Sequence, residues 1–186
     1  MTMSSLIEAA ERDTRRWLER AVIGLNLCPF AKSVHIKGQV HHAVCAATGA
    51  GEVLEALAAE LHDLVGRDAS ERDTTLLILP RAFEDFLEFN DFMARAERLV
   101  RKRGLAGTIQ LASFHPRFQF AGTAEDDITN FTNRSPYPTI HLIREASIDR
   151  AVQAFPEAEA IYETNMQTLR KLGPEGWAAL DVGPSP

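Results

Sequence analysis

Cysteine is scarce: Cys28 and Cys45 are the only two in 186 residues. Two thiols in unlike surroundings exclude a disulfide-stapled scaffold and fit a reducing compartment. Basic runs are missing as well, and the formal charge is −6. The chain therefore lacks the cationic face that a general nucleic-acid binder needs to neutralise phosphates. Long apolar runs are absent too. The strongest, Leu76 to Leu79, is far too short to span a bilayer. The first 20 residues are charged and amphipathic, without the apolar stretch of a secretory signal. A cytoplasmic protein with no nucleic-acid and no membrane partner is the expectation. No H-x-H, H-E-x-x-H or C-x-x-C spacing occurs, so no metal site and no cofactor is assigned.

What is present is the composition of an ordinary globular domain, 45% apolar and 25% charged. A chain of this size can bury roughly 70% of its unfolded surface without staples. Residues 1–186 are expected to form one α/β domain. Apolar residues at helical spacing from Leu6 to Leu25 predict an N-terminal helical arm over residues 1–24, opened by a capping pair at Ser5 and Glu8. Pro29 then opens a short helix with Cys28 at its cap. Residues 39–48 and 74–79 predict strands, with helices over 53–65 and 86–100 and a third strand over 108–114. This βαβαβ order predicts a small, mainly parallel sheet of three to four strands flanked by helices. Residues 139–144 (TIHLIR) fit a fourth strand or the start of a helix. A C-terminal helical pair follows, its members opened by Ser147 and Pro156, and residues 183–186 are expected to be a loose tail.

Residues 115–138 have no sustained period and form a long connection, of a length that is usually functional when it is anchored by aromatics such as Phe118, Phe120 and Phe131. In open parallel sheets ligands sit beyond the carboxyl ends of the strands. Those ends lead here into Thr48-Gly49-Ala50-Gly51, Pro80-Arg81 and His115-Pro116-Arg117. The expectation is an anion pocket in which Arg81, Arg117 and Arg134 bind through their guanidinium forks. His115, whose ordinary pKa of ~6.5 lies near working pH, moves a proton. Asp126 or Asp127 orients it, or else the pair belongs to a solvated turn. Gln119, Asn130, Asn133, Ser135, Tyr137, His141 and Lys32 complete the candidate binding set. Cys28 is either a nucleophile activated at a helix start or a buried, inert thiol. His41 and His42 point to opposite faces of a strand and make a poor chelating pair.

The segments LNLCPFAK (25–32), SFHP (113–116), FQFA (118–121), TNRSPYP (132–138) and HLIRE (141–145) resemble the signatures of a bacterial domain-of-unknown-function family, DUF1415. The resemblance covers nearly the whole chain and implies a stand-alone bacterial protein of this length. It brings no activity, substrate or cofactor. The residues themselves leave two readings open. One is an enzyme, a hydrolase or transferase acting on a small phosphorylated or carboxylated molecule. The other is a non-catalytic module that senses a ligand or docks a partner through the same pocket. Thiol redox chemistry at Cys28 is a weaker third. Oligomeric state is not assigned.

Overall fold

The structure is a computed structural model that describes residues 2–155, 157 and 160–185. The chain opens with α1 (Met3–Trp17), which runs directly into a π-helical turn over Leu18–Ile23. Thr2, not Ser5, caps α1: its hydroxyl accepts from the Ser5 N–H, and Ser4 takes Glu8. A short α2 (Ala31–Ile36) follows. The sheet and its covering helices then alternate as β1 (Val40–Val44), α3 (Ala50–Val65), β2 (Thr74–Ile78), α4 (Phe86–Lys102) and β3 (Ile109–Phe114). Residues 115–138 form a loop containing one 3-10 turn (Ile128–Asn133), after which come β4 (Thr139–Arg144), α5 (Glu145–Ala154) and α6 (Ile161–Ala179). α6 bends at Gly173, whose φ of 69° breaks the helix ahead of Pro174. The helix start expected at Pro156 lies outside the described residues.

The four strands lie in the order β1-β2-β4-β3. β1 and β2 are parallel, whereas β4 runs antiparallel to both β2 and β3, pairing Ile78 and Phe114 with Thr139. This corrects the expectation of a mainly parallel βαβαβ sheet. β1, β2 and β3 do point the same way, but β3 is displaced one position outward. The loop after β3 has no crossover helix, so the chain returns from the same rim and must run back antiparallel. The returning strand fills the slot beside β2, whose five residues are all buried and need a neighbour on both edges.

One face of the sheet carries the main core. Val53, Leu57 and Leu61 of α3 and Phe89, Phe92 and Ala96 of α4 pack on Leu77, Leu79, Ile140 and Leu142. Asp85 caps α4, accepting from the N–H groups of Leu87 and Glu88. The end of α3 is held by Arg144, which donates to the carbonyls of Leu64, Arg67 and Arg72. The opposite face is covered by Trp17, Leu18, Ala21 and Val22, with Phe114, Trp177 and Val182 against them.

Within the stretch expected to be a loose tail, Gly183 and Ser185 are bonded to α1. Arg16 donates to the Gly183 carbonyl at 2.7 Å, and Ser185 donates to Asp13 from both its N–H and its hydroxyl. Asp13 is wholly buried. Burial pushes its carboxyl pKa up, but the bonds from Ser185 and Tyr137 together with the charge of Arg16 outweigh that, so the net shift is downward. No helix among the described residues is long and apolar enough to cross a membrane.

Candidate ligand site

Two places in this fold concentrate chemistry, and they differ in what is already engaged. The first is the loop over residues 115–138 at the rim where β1, β2 and β3 end. His115 is fully buried between the rings of Phe86 and Phe89, each 5.4 Å away. Its Nδ1 accepts from the Arg117 N–H at 2.9 Å, so the proton sits on Nε2, which donates to the Phe83 carbonyl at 2.8 Å. Phe83 has a φ of 58°, a strained conformation for an aromatic residue. His115 thus braces a strained turn with both ring nitrogens. Burial is the main cause holding its pKa below the ordinary histidine value.

The remaining candidates of the loop are engaged in the same manner. Asn130 is fully buried; its Oδ1 accepts from the Phe120 N–H and the Thr123 hydroxyl, and its Nδ2 donates to the Ala124 carbonyl. Gln119 donates to the Thr123 carbonyl, Asn133 to that of Ser113 and Ser135 to that of Tyr137. Arg134 donates to the carbonyls of Phe118 and Glu125 and lies 4.3 Å over the Phe131 ring. Arg117 pairs with Glu125 at the surface. Asp127 caps the 3-10 turn through Thr129, and those bonds lower its pKa. The Tyr137 hydroxyl donates to Asp13; burial and that bond push its pKa up to about 12. Asp126 is exposed, with no side-chain hydrogen bond among the described residues, and Arg81 and Lys32 are likewise exposed without an ion pair. At the helix starts facing this rim, Asp85 already occupies α4, and the Glu52 carboxylate closes over Gly49 ahead of α3.

The second place is a cavity of about 760 Å³ on the other face of the sheet, within the roughly 300–1,000 Å³ of small-molecule sites. Its floor is the sheet itself: side chains alternate, so Thr74 and Leu76 of β2, His141 and Ile143 of β4, and Ala112 and Phe114 of β3 point into it. Trp17 and the π-helical turn wall one side, with the Trp17 ring 5.1 Å from that of Phe114. Single π turns occur frequently at functional sites. α2 and α5 flank the opening, joined by an edge contact between Phe30 and Phe155 at 5.2 Å.

His141 and Thr74 are the polar groups on this otherwise apolar floor. His141 Nε2 lies 2.7 Å from the Thr74 hydroxyl, while its Nδ1 makes no hydrogen bond among the described residues and remains accessible from the cavity. Burial lowers its pKa to about 4, so the ring is neutral near pH 7. Cys28 also borders the cavity. Burial raises its pKa, against the opposing N–H groups of Phe30 and Ala31, which is the reverse of nucleophilic activation. Among the described residues, no three His, Cys, Asp or Glu side chains are grouped to hold a metal ion.

A family model described as a protein of unknown function, DUF1415, matches residues 9–179. The chain belongs to the DUF1415 family. Comparisons with curated proteins and with solved structures found no match. The matched span of this DUF1415 chain takes in both the loop and the cavity.

Of the expected site residues, the structure gathers His115, Arg117, Gln119, Asn130 and Arg134 within the loop and places His141 and Cys28 at the cavity. Thr74, Trp17, Phe30 and Phe114 went unread as site residues of the DUF1415 chain. The period-two pattern of TIHLIR does give the needed signal: it sets His141 and Ile143 on one face and Ile140 and Leu142 on the other.

Proposed function

We propose that this DUF1415 protein is a ligand-binding module that takes a small, largely apolar molecule into the cavity between the sheet and the helices α1, α2 and α5. The observation that carries this reading is His141: a neutral imidazole on an apolar floor, with one nitrogen held by Thr74 and the other open to the cavity with no hydrogen bond among the described residues. An imidazole nitrogen open to a mostly apolar cavity is the kind of single, placed polar group that orients a bound molecule. The apolar walls contribute the bulk of the affinity through burial of ligand surface.

Access is through α5. No described residue of this helix is fully buried, and it is tethered at Asp73, which accepts from the Ser147 hydroxyl at 2.6 Å and pairs with Arg150 at 3.7 Å. A helix that buries so little belongs to the low-stability part of a fold, from which covers over ligand sites are drawn.

The reading in which an anionic substrate meets His115, Arg117 and Arg134 requires the bonds that close the loop to be broken first.

The test is a thermal-shift titration with naphthalene, an apolar probe of suitable size. Saturation at 100 times the dissociation constant adds about 2.7 kcal/mol to stability. Ala112→Phe, which fills the cavity from β3, is expected to abolish the shift. If neither naphthalene nor larger aromatic hydrocarbons raise the Tm of the unmodified chain, the proposal is wrong.

A further inference from the structure

We infer that the cavity selects molecules carrying a neutral hydrogen-bond donor, an alcohol, a phenol or an N–H, and discriminates against carboxylates and phosphates, because His141 presents Nδ1 as a fixed acceptor. This rests on the reading of the cavity as a ligand site, and adds to it the chemical class of the ligand.

The proton positions follow from the contacts. Thr74 Oγ1 lies 2.7 Å from the Leu142 carbonyl oxygen and 2.7 Å from His141 Nε2. A carbonyl can only accept, so the single hydroxyl proton of Thr74 points at Leu142. Turning that proton toward the ring would leave two oxygens 2.7 Å apart with nothing between them. Thr74 therefore offers His141 a lone pair, and Nε2 must be the protonated nitrogen. A neutral imidazole carries one N–H, so Nδ1 is bare.

The arrangement is rigid because β2 and β4 pair directly: Thr74 faces Ile143 in the register, and Leu142 is the next residue along. Thr74 itself is 7% exposed. The depressed pKa of His141 agrees with this geometry, since a ring that protonates only at about 4 does not become a second donor at neutral pH. A carboxylate or phosphate oxygen brings only lone pairs to this nitrogen and loses its hydration on the apolar floor. A hydroxyl or N–H makes the missing bond.

Three probes of one shape separate the cases: naphthalene, 1-naphthol and 1-naphthoate, titrated calorimetrically against the full chain at pH 7.5. Naphthol is expected to bind about fivefold to tenfold more tightly than naphthalene, the worth of one hydrogen bond, and naphthoate more weakly than either. His141→Phe keeps a ring in place but removes the acceptor, and should bring naphthol and naphthalene together. Thr74→Val frees the proton to occupy either nitrogen, and should narrow the preference for naphthol over naphthoate. A structural role for Thr74 alone would not do this. Nitrogen-15 spectra of the ligand-free chain should show the His141 proton on Nε2. A proton on Nδ1, or naphthoate as the tightest probe, overturns the inference. If naphthalene binds and naphthol gains nothing, the selection fails while the cavity reading stands; if none of the three binds, both fail.

Discussion

The loop over residues 115–138 and the cavity under α5 invert each other. The loop is dense with histidine, arginine, asparagine and acid, and nearly all of these side chains bond to its own backbone or to a neighbouring element. The cavity is lined mainly by apolar groups, yet its floor carries a histidine nitrogen that makes no hydrogen bond among the described residues. Richness in polar side chains here reflects bonding within the fold rather than free binding groups. A long segment without helix or strand must satisfy its backbone groups by other means, and side-chain amides and guanidinium groups are how this loop does so.

The strongest attempt to break this contrast is on the loop. Asn130→Ala removes the partner of two donors and one carbonyl in a fully buried setting and should lower the unfolding free energy by about 3 kcal/mol. Urea denaturation measures this, and naphthalene affinity should be unchanged. A loss below about 0.5 kcal/mol, the level of an ordinary surface change, together with altered binding would mean that the loop is the functional region after all.

A pH series sharpens the other side of the contrast. His141 has a folded-state pKa of about 4, below its ordinary 6.5. Between those values the unfolded chain binds the extra proton, so stability contributed by the neutral ring is present above about 6.5 and is lost as pH falls toward 4. His42, buried with both ring nitrogens unpartnered among the described residues, has the same value and the same sign. His141→Phe should therefore remove part of the acid-side decline in Tm and leave the rest. An unchanged decline would show that His141 is not buried neutral.

The smallest effect is at Cys28. Its raised pKa predicts that alkylation by iodoacetamide rises with pH to a midpoint above the ordinary free-thiol value of ~8.5. A midpoint near neutrality would restore the redox reading.

The chain made its elements legible and its arrangement much less so. Apolar spacing located α1, α3, α4 and the first three strands, because burial on one face leaves a period in the sequence. The place of β4 was hidden, since pairing between β2 and β3 depends on a return across 24 loop residues rather than on any local pattern. His115 and Arg134 read as reactive because their partners are backbone N–H and carbonyl groups, which no sequence marks. The cavity was hidden for a further reason: an incompletely filled layer is a property of how helices lie on a sheet, not of any segment.

β4 passes into α5 without a single intervening residue, Arg144 ending one and Glu145 beginning the other. Arg144 is also the side chain bolted to three carbonyls around the end of α3. It is placed as a fulcrum: any swing of α5 would stop at that anchor and leave the aim of the imidazole three residues upstream unchanged.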